Sequence, residues 1–374
     1  MYRPTIKSNI WLGVMTIAFL VLHYWSENSL LVVRPPDYQR RLDAANTMLR
    51  AMEELENYRL PSLNVQAKNT EDPLVYTLLG EKDSPITTDE SKIDDKITVL
   101  NPNFAAAIVD LLGQAGLHTG DTVAVLLTGS MPGANLATYA AMKAVGLNPV
   151  IITSIGSSWW GANSPDFTWL DMERVLVERN IFPYRSIGAS LGGSDDNGGL
   201  RLSSMGRELI ESAAVRNNVT IIREGSLSEN IKARLELFQR VLPLERYKAV
   251  INIGGGIAAL GHRENAWLIP NGVSHRLPSL NYPARGVVHS FADEGTTVIN
   301  INDVASFAAD YDLPIARLPV PKVGTGSVFE QQRYNLIVVW IAAILMLAIL
   351  VTVKLLDRQH YKLRDEGVDP DILV

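Results

Sequence analysis

Residues 98–333 predict an α/β fold whose mainly parallel sheet carries helices on both faces, and three observations lead there. Short continuous apolar runs recur along the stretch, amphipathic helical segments alternate with them, and the connections between the two are short. A run that is apolar at every position fits a strand buried on both faces, as in a sheet covered by helices above and below.

In chain order, Ile10 to Trp25 (IWLGVMTIAFLVLHYW) is apolar and ends in His23, Tyr24 and Trp25, an edge suited to the headgroup layer. It fits either a short span or the h-region of a signal peptide. Arg3 and Lys7 precede it as either reading requires, but the exit HYWSENS lacks the small residues of a cleavage site, so residues 1–27 are expected to be an uncleaved anchor. Residues 28–66 follow as a juxtamembrane helical segment. Within them Leu42, Ala45, Leu49 and Met52 recur at three- and four-residue steps, the mark of a helix that packs on its own domain or forms a self-associating stalk. Residues 67–97 are polar, charged and proline-broken, and read as a loop or linker.

The alternation then begins. A helix is expected over Asn103–Ala115, a buried strand over Thr122–Thr128 (TVAVLLT), a helix over Ala134–Val145 and a strand over Asn148–Thr153. Helices follow at Trp169–Arg179, Met205–Arg216 and Glu229–Val241, and strands at Val219–Arg223, Ala249–Ile253 and Thr297–Ile301. Residues 334–356 contain Leu336 to Val353 (LIVVWIAAILMLAILVTV), uncharged and long enough at 1.5 Å per residue to cover most of a roughly 30 Å hydrocarbon core. Residues 357–374 form a tail. Lys354, Arg358, Lys362 and Arg364 follow the span while only Lys322 and Arg333 closely precede it, which predicts a cytoplasmic tail. With two spans, both termini lie inside and the central domain is extracytoplasmic.

Composition narrows the function. A net charge of −6 argues against nucleic acid as a partner, because nonspecific binding needs a basic field. The absence of cysteine removes disulfides and thiol catalysis.

In an open α/β sheet ligands gather beyond the carboxyl ends of the strands. TGSMPGAN follows the first strand there, and Gly129, Ser130, Gly133 and Asn135 offer an anion site at a helix start, or else a tight turn capped by Ser130 or Asn135. No Gly-Lys-Ser/Thr follows, so this is no Walker A loop, and no cofactor is expected. The next loop gathers Ser157, Ser158, Trp159, Trp160, Asn163 and Asp166 into a ligand or partner surface, and Thr168 with Asp171 fits a capping box. Gly254, Gly255 and Gly256 end a third strand, with Gly192 and Gly193 as a companion lip; consecutive glycines admit close backbone approach to an anion, or simply a sharp turn. Ser130 is a candidate nucleophile and Asp166 or Asp171 a candidate acid or base, although no base adjoins Ser130 in sequence. His262, His275 and His289 lack metal-ligand spacing, so no metal site is expected.

The runs TGSMPGAN (Thr128–Asn135), GANSPDFTWLDME (Gly161–Glu173), ASLGG (Ala189–Gly193), NIGGGIAALG (Asn252–Gly261) and LPVPKVGTGSVF (Leu318–Phe329) resemble the poly-gamma-glutamate system protein family. The resemblance covers nearly the whole chain, including an apolar segment at each end. It implies a membrane component that works with a poly-gamma-glutamate ligase and its small membrane partner in synthesis or export of the polymer, and it carries over no catalytic residue. The expectation is an accessory factor that binds or guides an anionic polymer outside the bilayer. An extracytoplasmic hydrolase or transferase acting on the polymer, and a receptor for a small anion, are the alternatives.

Overall fold

The computed structural model describes residues 9–62, 77–199 and 201–365. They fall into two compact units, Pro35–Phe329 and a second made of the flanking segments through Arg34 and from Glu330 onward.

The larger unit is built on a seven-stranded sheet of β1 (Thr122–Thr128), β2 (Asn148–Ser154), β3 (Ser186–Ser190), β4 (Thr220–Ile222), β5 (Ala249–Ile253), β6 (Gly272–Ser274) and β7 (Thr297–Ile301). Their order is β6-β7-β5-β1-β2-β3-β4, parallel throughout except for β6, which runs antiparallel on β7 at the edge. The expected α/β fold with a mainly parallel sheet is present. The seven-residue run of β1 serves two cores at once. Val123, Val125 and Leu127 point to one face, while Ala124 and Leu126 point to the other. Fully burying each such Val or Leu contributes roughly 1.5–3 kcal/mol, which is why the run needs no polar alternation.

On the first face lie the helices Phe104–Gln114, Pro132–Val145 and Trp169–Glu178, together with Tyr38–Arg59. This last helix buries Ala44, Ala45, Met48, Ala51, Met52 and Leu55 in the core, against Phe104–Gln114 and Pro132–Val145. Its apolar seam is therefore covered by its own domain, and the stalk reading falls. The opposite face is closed by Leu227–Val241 and Val287–Asp293, where Phe238, Tyr247 and Phe291 meet edge to face.

The expected linker is partly structured. Residues 67–76 lie outside the described residues, but Thr87–Asp89 forms a short strand paired with Ser157–Ser158, and Ile93–Thr98 is a helix whose Lys96 and Thr98 are buried. Charged residues hid this segment because its burial comes from tertiary contact and not from an apolar face.

In the smaller unit the helix Asn9–Asn28 leads into Leu30–Val33, which pairs antiparallel with Gln331–Tyr334 ahead of the helix Leu336–Asp365. The two helices pack on each other. Among the described residues one stretch, Leu336–Leu356, is long and apolar enough to cross a membrane, with mean hydropathy 3.1. The tail beyond residue 365 lies outside the described residues.

Candidate functional site

The sheet order fixes where a ligand can sit. From β1 the chain winds outward through β2, β3 and β4, then returns to the other side of β1 as β5. The carboxyl ends of β1 and β5 therefore diverge into loops that leave in opposite directions, the topological switch point at which open α/β sheets bind ligands. A cleft of about 280 Å³ opens there. Ser130, Gly156, Gly192 and Gly254 all line it, so the loops that follow β1, β2, β3 and β5 meet at one place.

The glycines of the β5 loop have different tasks. Gly254 and Gly255 take φ of +79° and +66°, and an added Cβ would come within 2.6 Å of Thr128 Oγ1 or 2.0 Å of Asn302 Oδ1. These two positions satisfy a sharp turn over the end of β1. Gly256 has ordinary backbone angles, and its Cβ would sit 3.1 Å from Thr128 Cγ2 and 3.9 Å from Ser154 Oγ. The N–H groups of Gly255 and Gly256 donate to no acceptor among the described residues, and the buried Thr128 Oγ1 also has no partner there. Unpaired polar groups on a cleft wall call for an explanation, and a polar ligand in the cleft supplies one.

Sequence reasoning missed Lys96. Its side chain is fully buried, yet Nζ reaches Ser130 O at 2.6 Å, Ser158 Oγ at 2.9 Å and Met131 Sδ at 3.6 Å, tying the β1 loop to the β2 loop. No carboxylate is among those partners. Burial pushes the ammonium down to about 7, against the opposing pull of Asp95. The signal in the sequence was faint: Ile97, Val99 and Leu100 directly around it mark a chain entering the core.

The acidic residues of the cleft are each neutralised locally. Asp89 pairs with Arg263 at 2.8 Å, Glu90 with Arg201 at 2.5 Å and Asp196 with Arg234 at 2.8 Å. The Asp196–Arg234 pair is buried and gathers Ser154 and Ser190 into its network, with Arg234 donating to Ser190 Oγ at 2.6 Å and Ser154 Oγ at 3.0 Å. It holds the loop after β3 against the floor of the cleft.

Of the residues singled out in the sequence, Ser130, Ser158, Gly192, Gly193, Gly254, Gly255 and Gly256 line the cleft. Others support it from behind. Gly129 lets the β1 loop press on Ile155, where a Cβ would meet its carbonyl at 2.5 Å, and Gly133 makes the same close approach to Val99. Asn135 is buried and donates to Thr128 O at 2.9 Å, Ser157 donates to Gly129 O at 3.1 Å, and Asn163 donates to Glu81 O at 2.8 Å. Neither Ser130 nor Asn135 caps the helix Pro132–Val145; the N-cap position belongs to Met131, and Ser130 Oγ instead accepts from Ser158 N at 3.0 Å. Trp160, at φ of 61°, donates its N–H to Glu81 O at 2.9 Å away from the cleft, while Trp159 stacks under Lys82.

Asp166 is absent from the lining, and Asp171 has a structural task. Its carboxylate completes the expected capping box with Thr168 and is bonded by Arg216 and Asn217. Burial works to raise its pKa, but the bonds from Arg216, Asn217 and Thr168 together hold it below the ordinary range, unsuited to a proton acceptor near neutrality. A different carboxylate, Glu173, is deeply buried with Trp169, Ser186 and Tyr139 as donors and belongs to the core.

In comparisons with protein-family models, with curated proteins and with solved structures, none matches this chain. The arrangement at the switch point thus carries the functional argument: a polar cleft with free main-chain donors, one buried amine without a carboxylate partner, and locally balanced acids.

Proposed function

We propose that this protein is a membrane-anchored accessory factor of poly-gamma-glutamate biosynthesis or export, and that its extracytoplasmic α/β domain binds carboxylates of the polymer at the switch-point cleft. The observation that carries the reading is the pairing of two kinds of anion donor in one cleft: the unengaged N–H groups of Gly255 and Gly256, and Lys96, whose bonded partners include no acid. Main-chain donors hold a carboxylate without a strongly basic surface, which suits a chain of net charge −6. Three of the sequence runs that resemble the poly-gamma-glutamate system family, TGSMPGAN, ASLGG and NIGGGIAALG, supply lining residues of the cleft. The polymer ligase and its small membrane partner are the expected associates. A two-pass arrangement is supported by the paired helices of the smaller unit and the apolar length of Leu336–Leu356.

The test is binding of poly-gamma-glutamate oligomers by the full-length protein in nanodiscs, with the neutral poly-gamma-glutamine oligomer as control. Gly256→Val introduces a branched side chain over Thr128 at a position of ordinary φ, and is expected to weaken binding at least about tenfold while the fold persists. Equal affinity for the charged and neutral oligomers, or for the variant and the parent, would sink the proposal.

A further inference from the structure

The contact between Lys96 and Ser158 has a geometry that carboxylate binding alone does not require. Ser158 sits on the cleft wall with 6% of its surface exposed, and its backbone is fixed by pairing with Asp89 and by its N–H donation to Ser130 Oγ at 3.0 Å. Its hydroxyl lies 2.9 Å from Lys96 Nζ. An ammonium offers three protons and here meets a carbonyl oxygen, a hydroxyl and a thioether, with no anion among its bonded partners and only the nearby charge of Asp95 set against the cost of burial. A neutral amine fits this set better. With its proton the amine donates to Ser158 Oγ as well as to Ser130 O; without it, the freed lone pair is positioned to accept the Ser158 O–H across the same 2.9 Å. Burial, which brings the Lys96 pKa to about 7, places that neutral form within the physiological range. Ser157, by contrast, spends its hydroxyl on Gly129 O and Ser158 O, and Ser130 meets Lys96 through its carbonyl and not its Oγ.

We propose that Ser158 and Lys96 form a nucleophile and general-base pair that cleaves or transfers an acyl group, acting on an amide or ester carbonyl bound in the cleft. Ser158 Oγ attacks the carbonyl carbon as its proton passes to Lys96 Nζ. Collapse of the tetrahedral adduct breaks the bond to the leaving nitrogen or oxygen, which takes that proton from Lys96 and leaves an ester on Ser158. Water, or an acceptor amine, then attacks the ester and gives a proton to Lys96. The bond to Ser158 Oγ breaks, the acid or new amide departs, and Oγ recovers the proton. The N–H groups of Gly255 and Gly256 are available donors in the same cleft for the oxygen that becomes negative. Nothing in this chemistry requires poly-gamma-glutamate to be the substrate.

A fluorophosphonate probe applied to the full-length protein, followed by peptide mass spectrometry, tests the pair. The expected result is one adduct on Ser158, formed at a rate that climbs through pH 7 to a plateau as Lys96 loses its proton. Ser158→Ala should abolish it. Lys96→Met should slow it by ~10² or more, the usual share of a general base, and flatten the pH profile. An adduct elsewhere, no adduct, or a wild-type rate that ignores pH between 5 and 9 would overturn the proposal, and the wild-type profile decides the point even where a variant fails to fold. Carboxylate binding has the opposite pH trend, strengthening as Lys96 gains its proton. Loss of oligomer binding with labelling intact therefore sinks the polymer reading alone, and intact binding without labelling sinks this one.

Discussion

Lys96 shows how far a single residue escapes inspection of a sequence. In IDDKIT it stands beside two aspartates, the setting of a solvated face, and its neighbours Asp94 and Asp95 do remain exposed and partly exposed. The fold buries the lysine because the helix Ile93–Thr98 presses its terminal atoms between two loops that are distant in sequence. That burial has a measurable consequence for stability. Lys96 titrates near 7 in the folded chain and at 10.5 when exposed, so between those values the unfolded chain carries a proton that the folded chain lacks. Stability therefore rises with pH across that window, by about 1.4 kcal/mol per unit at full slope, and this share is lost as the pH falls through 7. Lys96→Met should remove the rise, so that urea midpoints measured from pH 7 to 10 converge; a variant that keeps the parental slope would contradict it. The glycines tell the complementary story. Three in a row were legible as a special backbone, but only the backbone angles and distances separate Gly254 and Gly255, where the turn excludes a side chain, from Gly256, where it does not.

Elements were legible in proportion to their apolar content. The strand Thr122–Thr128 and the strand Ala249–Ile253 match their sequence boundaries because nearly every position is buried. The strand Ser186–Ser190 gave no such signal: SIGAS is small and polar, and its serines are satisfied by Thr153, Glu173, Ser154 and Arg234. At the opposite edge of the sheet, Gly272–Ser274 is three residues long and is recruited by β7, not by its own propensity. The glycine lip after Ser190 is held down from the far side of the loop, where Asp196 fastens it to Arg234 on the helix Leu227–Val241. Asp196→Ala should cost about 3–5 kcal/mol in chemical unfolding, because it strands a buried guanidinium. Adding Arg234→Met should recover part of that loss. If the single variant unfolds like the parent, the lip is not held by this pair.

For the molecule as a whole, the α/β architecture and the meeting of strand-end loops followed from the alternation of short apolar runs and helices, since such alternation has few topological solutions. The helix Tyr38–Arg59 was harder to assign, because a seam of small and apolar residues looks the same whether a partner chain or the chain's own core covers it. The proposed two-pass arrangement predicts that a reporter fused after residue 374 gives a cytoplasmic signal and one inserted near Asp83 an extracytoplasmic signal. An extracytoplasmic signal from the C-terminal fusion, or a mature N-terminus near Ser26, would refute it.

The short ribbon that joins Leu30–Val33 to Gln331–Tyr334 has a further implication. Its ladder, reinforced by the Arg34–Glu330 ion pair at 2.7 Å, brings the start and finish of the Pro35–Phe329 unit to neighbouring points of the chain. A domain entered and left at one doorway is topologically a module spliced into a helical hairpin. It is open to excision with its ends sealed by a brief linker, to circular permutation at an exposed loop, and to transplantation onto another pair of helices.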